Sequence, residues 1–295
     1  MRAAFRVSKI SFLIYYREKA DIDFAMRTIR YFLELADDQQ RVKEANFLVP
    51  VLLPALYEAF TADEIGQKGR EQILQIVFLL IRSIAWADGI DNELVHECLN
   101  DTFSAWMALL LQVVQANPRH FFNVKRQALK CLIVVFRDLV NYSRESLNLI
   151  LKPAWKLFNT HLPVFTEVVG YNRAIPEGIG SDEEDEDAET AKGYESEEDD
   201  EIYGVEGMTF YLIELLSTLV QRPSVQPLVR QGVLPLMKTV SSYLIVQRNR
   251  ERQHHGDTLF FIADKSADLL RVDTIRSQCL VFISSLIEVF ADDAV

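Results

Sequence analysis

Cysteine is scarce in this chain. Cys98, Cys131 and Cys279 stand far apart in 295 residues, odd in number and without a CxxC. That excludes a disulfide framework and a zinc-ligand spacing, and points to apolar thiols buried in a protein of a reducing compartment. Glycine and proline are sparse too, at 11 and 9 residues, which rules out collagen-like and wholly disordered chains. The glycines form neither a GxGxxG nor a GxxxxGK-S/T phosphate cradle. Long apolar runs are missing: Ile73–Ile81 is nine residues and contains Gln75, whereas a membrane span needs about twenty. Arg2, Arg6 and Lys9 are followed by no apolar core with a small-residue cleavage site, so no secretory signal is expected. Finally, no basic surplus exists. A general nucleic-acid binder, which displaces phosphate counterions with cations, is therefore disfavoured. A soluble cytosolic or nuclear protein without membrane insertion is the expectation.

What is present is a folded chain, 49% apolar and 25% charged, with one anomaly of charge. The net charge is −12, and residues 182–201 alone hold thirteen carboxylates and one lysine. The rest of the chain carries 30 basic and 30 acidic residues and is neutral. The whole excess sits in twenty residues.

Period 3.6 dominates the remainder, and strand-like alternation is nowhere sustained. Ile22, Met26, Ile29 and Leu33 mark a first helical face over 22–36. A segment over 41–60 is helical but interrupted by Pro50 and Pro54. The next, over 70–87, carries Ile73, Ile76, Val77, Leu80, Ile81 and Ile84. Further helices are expected over 91–116, 120–142, 144–160, 207–222, 226–248 and 272–291. Between them fall breakers at Asp88-Gly89, Asn117-Pro118, Tyr142-Ser143, Arg222-Pro223 and Gly256. Segments that look alike begin near 41, 91 and 144. The helices at 41–60, 144–160 and 226–248 carry Pro54, Pro153 and Pro235 inside apolar runs. An outer, convex helix tolerates the bend that a proline brings. The partner helices lack proline and open with a cation three positions before an apolar residue, as in Arg70 and Ile73, Lys125 and Ala128, or Arg276 and Cys279.

This alternation predicts an all-α fold over 1–295: an α-solenoid, or superhelix, of HEAT-type helix pairs that bury their apolar faces by stacking. Four pairs follow a leading partial repeat: 41–60 with 70–87, 91–116 with 120–142, 144–160 with 207–222, and 226–248 with 272–291. A compact helical bundle is the alternative architecture. Trp86, Trp106 and Trp155 each lie on an apolar face and are expected to pack.

Signs of catalysis are few. His96, His120, His161, His254 and His255 make no HExxH, no GxSxG elbow occurs, and the carboxylates are not paired in a protected cleft. No enzyme activity, metal or cofactor is expected. The candidate site is the acidic tract: Asp182, Glu183, Glu184, Asp185, Glu186, Asp187, Glu189, Glu195, Glu197, Glu198, Asp199, Asp200 and Glu201. With almost no apolar residues it cannot offset its ordering entropy by burial, so a flexible loop over 177–206 is expected inside one repeat. Such a loop would capture a basic partner electrostatically. Ser181 and Ser196 each precede three acids, the surround an acidophilic kinase prefers. Phosphorylation would add up to about −2 at each.

The order of several segments is similar to the importin-β (karyopherin) nuclear transport receptors. They are Val51-Leu-Leu-Pro54-Ala-Leu-Tyr57-Glu-Ala-Phe60-Thr, then Pro153-Ala-Trp155, the acidic tract, and Gly207-Met208-Thr-Phe210-Tyr-Leu-Ile-Glu214-Leu-Leu. Asp257-Thr-Leu-Phe-Phe261-Ile-Ala-Asp264 and Ile275-Arg276-Ser-Gln-Cys279 complete the set. The family's Asp-Pro-Asn-x-Phe run is kept at Asp257, Phe261 and Asp264, but Thr258 and Leu259 replace its Pro and Asn, and Lys265 and Ser266 stand where acids often follow. The resemblance implies a segment of a longer receptor, without its first repeats and its C-terminal half. Such a receptor carries basic cargo, histones or ribosomal proteins, through nuclear pores and releases it to the GTP-bound Ran GTPase. It further implies that the acidic loop meets cargo or Ran, that outer helices offer grooves to Phe-Gly nucleoporins, and that the protein occupies cytoplasm, nucleus and the nuclear envelope at pores. A HEAT scaffold or acidic histone chaperone without a Ran cycle would share the charge pattern.

Overall fold

In the computed structural model the residues described are 28–30, 38–63, 65–85, 93–117, 119–170, 204–254 and 275–290. The regular structure among them is entirely helical, so the fold is all-α. In chain order the helices are α1 (Asp38–Thr61), α2 (Gln67–Ala85), α3 (Glu93–Gln115), α4 (Phe122–Asp138), α5 (Val140–Phe165), α6 (Gly204–Val220), α7 (Gln226–Val229), α8 (Val233–His254) and α9 (Ile275–Phe290). A π-helical turn, Thr166–Gly170, extends α5, and a 3-10 turn, Arg230–Gly232, joins α7 to α8. No described helix is long and apolar enough to cross a membrane.

The chain divides into two compact units, one of Met1–Ala116 with Val124–Ala154, the other of Asn117–Asn123 with Trp155–Val295. In the first, α1 packs against both α2 and α3. Its apolar stripe, Leu48, Val49, Leu52, Leu53, Leu56 and Phe60, is buried, and so are all six α2 positions that the 3.6 period picks out. Trp106 of α3 is fully buried; its indole N–H donates to the Leu53 carbonyl at 3.2 Å and its ring meets the Tyr57 ring edge-on at 5.4 Å. The second helix meets the fourth in the same way: the Cys131 thiol donates to the Leu74 carbonyl, and the Lys130 ammonium lies 4.7 Å from the Phe78 ring centre. The third meets the fifth where Phe103 and Tyr142 pack at 6.0 Å.

In the second unit α9 packs on α6 and α8, and α8 packs on the π turn. Tyr243 of α8 is its centre. The ring stacks on Phe158 at 4.8 Å and meets Phe165 at 5.1 Å, while the buried hydroxyl donates to the Phe158 carbonyl at 2.8 Å. Ser217 and Ser285 face each other at 3.4 Å between α6 and α9, and Ser285 also donates to the Val281 carbonyl. Each hydroxyl thus enters the apolar seam with a partner.

Several boundaries differ from the sequence expectation. α1 runs unbroken through Pro50 and Pro54. The two prolines are four apart and share one half-exposed face, while the opposite face is held by burial. The break expected at Tyr142-Ser143 falls instead at Leu139, between α4 and α5. Ser143 sits inside α5, fully buried, its hydroxyl turned back to the Leu139 and Val140 carbonyls, a local bond that makes a serine look like a breaker. The helix expected over 144–160 continues to Phe165 because Val164, Phe165 and Val169 are apolar and buried. The single helix expected over 226–248 is α7, a 3-10 turn and α8. Pro235 lies in the first turn of α8, where its missing N–H costs no helical bond, so it is not a mid-helix proline.

Gly232 explains the 3-10 tightening. A Cβ there would lie 2.8 Å from the Trp155 ring. Gly232→Ala is therefore expected to destabilise by about 1–3 kcal/mol in spite of its better helix propensity, since the indole must shift. In a Trp155→Ala background the same change should become neutral or stabilising. Chemical denaturation of the four proteins measures that coupling, and additivity would contradict it.

Of the leading helix expected over 22–36, only Thr28–Arg30 is described; it is helical, Ile29 is buried, and Arg30 donates to Gln75 at 3.4 Å. Trp86 lies outside the described residues.

Candidate functional site: the roots of the acidic segment

The acidic positions Asp182–Glu201, with Ser181 and Ser196, lie outside the described residues. Both ends of the segment that holds them are described. Its first end is the π turn closing at Gly170, and its second is Gly204, which opens α6 with a φ of 66°. The expected loop ran to residue 206; instead 204–206 form the first turn of α6, since glycine takes the left-handed entry without strain.

Both ends meet one short stretch, residues 117–123, which leads from the connection after α3 into the first two residues of α4. At the first end Arg119 pairs with Glu167 of the π turn at 3.3 Å. At the second the Gly204 amide donates to the Asn123 side-chain oxygen at 3.1 Å. Between them Phe122 lies 6.2 Å from the ring of His161 on α5. His161 is fully buried, with Nε2 2.9 Å from the Thr209 hydroxyl of α6. Thr209 gives its own proton to the Val205 carbonyl at 2.7 Å, so the histidine Nε2–H is the donor in the contact they share. Contacts thus pass from the connection to α5, from α5 to α6, and from α6 back to the connection.

The described residues of this stretch are tied to one another. Asn117 accepts the Arg119 amide through its side chain and the His120 amide through its backbone. Phe121 then takes a φ of 61°, uncommon for a residue with a side chain, and is partly exposed. Sequence reading placed a breaker at Asn117-Pro118 and the next helix from 120, whereas α4 begins at Phe122, and it took His161 as one histidine among five. Only the tertiary contacts distinguish them.

A second cluster was missed by sequence reading. Lys125 opens α4 as expected, but it is fully buried, as are Arg126 and Gln127 beside it. Arg126 pairs with Glu71 of α2 at 3.2 Å. Burial lowers the Lys125 ammonium from 10.5 to about 8. Cations there read as a solvated helix start, and nothing local in the sequence marks them as interior. Arg276, by contrast, is exposed.

The cysteines fall as expected in part. Cys131 and Cys279 are buried and burial pushes both thiols up to about 12, whereas Cys98 is half-buried, raised by the same cause, and donates to the Val49 carbonyl. His96 is exposed and bonded to the Tyr142 hydroxyl, and His120 is exposed beside Phe121. The side chain of His254 and all of His255 lie outside the described residues. Among the described residues no three or more His, Cys, Asp or Glu are grouped to hold a metal ion.

Compared with known proteins, the chain matches no family model, and no curated protein matches it. The functional reading therefore rests on the residues themselves.

Proposed function

We propose that this chain is a segment of an importin-β type nuclear transport receptor, most like importin-9, in which HEAT-type helix pairs stack as an open superhelix and residues 182–201 capture basic cargo. The observation that carries the reading is the concentration of the entire −12 charge in one twenty-residue stretch of an otherwise neutral helical chain. Contacts that recur between alternate helices support the stacking, α1 with α3, α2 with α4 and α3 with α5. Exposed apolar side chains, Phe47 and Val51 on α1, Leu234 and Ile245 on α8, and Leu280 and Ile287 on α9, would offer contacts to Phe-Gly nucleoporins. Screening confines the anionic field to about 8 Å at cellular salt, so the tract recruits histones or ribosomal proteins at encounter. The compartments that follow are cytoplasm, nucleus and nuclear pores.

The deciding experiment is capture of core histones by the full-length gene product in the presence of Ran. Ran loaded with GTP should displace or remodel the complex, and Ran loaded with GDP should not. Identical behaviour would leave the scaffold or chaperone alternative standing and remove the transport reading. Deleting 182–201 is expected to weaken histone binding at least tenfold at low salt while moving the melting temperature by no more than about 2 °C, because the tract has little apolar surface to bury. A large fall in melting temperature with unchanged affinity would contradict it.

A further inference from the structure

From the contacts of the 117–123 connection we infer a mechanical coupling: it is a yoke that joins the two ends of the acidic segment, so that release of one end loosens the other. The inference does not depend on what the segment binds. Thirty-three residues separate Gly170 from Gly204 in the chain, and the yoke reaches both. Arg119 and Asn123 are four residues apart, and each holds one end: Arg119 through Glu167, Asn123 through the Gly204 amide.

Three features make the yoke a coupling element and not two separate contacts. Its backbone is internally tied, since Asn117 accepts from both Arg119 and His120. Phe121, between the two holding residues, is kept at a φ of 61°. A phenylalanine remains in that region only while its neighbours are fixed on both sides, and it relaxes when one side is freed. The circuit is also closed from behind by Phe122, His161 and Thr209, which link α5 to α6 under the yoke. Freeing Glu167 from Arg119 therefore releases the Phe121 backbone and frays the first turn of α4, where Asn123 holds Gly204. By linkage, freeing Gly204 from Asn123 loosens the π turn to the same degree.

Amide hydrogen exchange on the whole chain, read residue by residue by NMR, tests the coupling. In Arg119→Ala, the Gly204 amide should exchange about two- to fivefold faster, although its own acceptor Asn123 is untouched. The Cys279 amide in α9 should keep its wild-type rate. In Asn123→Ala, the Val168 amide of the π turn should accelerate by a similar factor. Phe121→Gly allows the connection to bend without releasing either end, so adding Arg119→Ala to it should leave Gly204 unaffected. An unchanged Gly204 rate in Arg119→Ala would overturn the proposal. So would equal acceleration at Gly204 and Cys279, which would show general loosening instead of a yoke.

Discussion

Trp106→Ala should lower the stability of the chain by about 3–5 kcal/mol, among the largest effects of any single truncation in it. The indole is 1% exposed, and it is enclosed by Tyr57 at 5.4 Å and Phe60 at 6.4 Å, both edge-on. Removing it opens a cavity between α1 and α3 that rigid helices cannot collapse to fill. It also takes the N–H from the Leu53 carbonyl. Trp106→Phe keeps most of the apolar area and loses the hydrogen bond, so it should cost about 1–2 kcal/mol. Urea titration reads both as shifts of midpoint at unchanged slope. A loss under 1 kcal/mol for the alanine variant would show that Trp106 does not join the two helices.

The second large effect is a dependence on alkaline pH. Lys125 has its proton affinity lowered from 10.5 to about 8 by burial. Between those values the unfolded chain holds the proton and the folded chain releases it. The unfolded state therefore binds more protons, and stability contributed by this group rises with pH from about 8 to 10.5. Fully expressed, the gain is on the order of 3 kcal/mol. Cys131, Cys279 and Tyr243 act in the opposite sense, because burial raises all three and their unfolded forms ionise first. The comparison that isolates Lys125 is with Lys125→Met, which keeps a long unbranched side chain and removes the charge. Stability of wild type relative to that variant should improve by roughly 1–2 kcal/mol between pH 7.5 and 9.5. A difference that stays constant over this range would mean that the ammonium is not held in the interior.

Much of the helical fold was legible because burial and periodicity coincide. Ile73, Ile76, Val77, Leu80, Ile81 and Ile84 are all buried in α2, as their spacing requires. Boundaries were less legible wherever a residue has two local meanings. Pro50 and Pro54 read as interruptions, yet they share a half-exposed face that tolerates them. Ser143 reads as a turn, yet its hydroxyl bonds the preceding turn of its own helix. Gly232 reads as an ordinary helix residue until Trp155 is seen against it. Burial of charge was not legible at all. Lys125-Arg126-Gln127 has the composition of a solvated helix start, and only Glu71, fifty-five residues from Arg126, shows why a guanidinium can be interior. The acidic tract was the clearest feature of the sequence because it needs no partner to be recognised: its charge is local. The yoke was invisible for the converse reason. Arg119, Phe121 and Asn123 acquire their meaning from Glu167, the backbone at 121, and Gly204, none of which a pattern in 117–123 specifies.

The unequal environments of the three sulfurs give the protein a single chemical handle. Two of them stay protonated at any physiological pH and are shut away in the interior, so neither offers a nucleophile to an alkylating dye or an oxidant. Only the sulfur on α3 is within reach of reagent. A fluorophore or spin label added to the native protein would therefore report from one place, without any prior cysteine engineering.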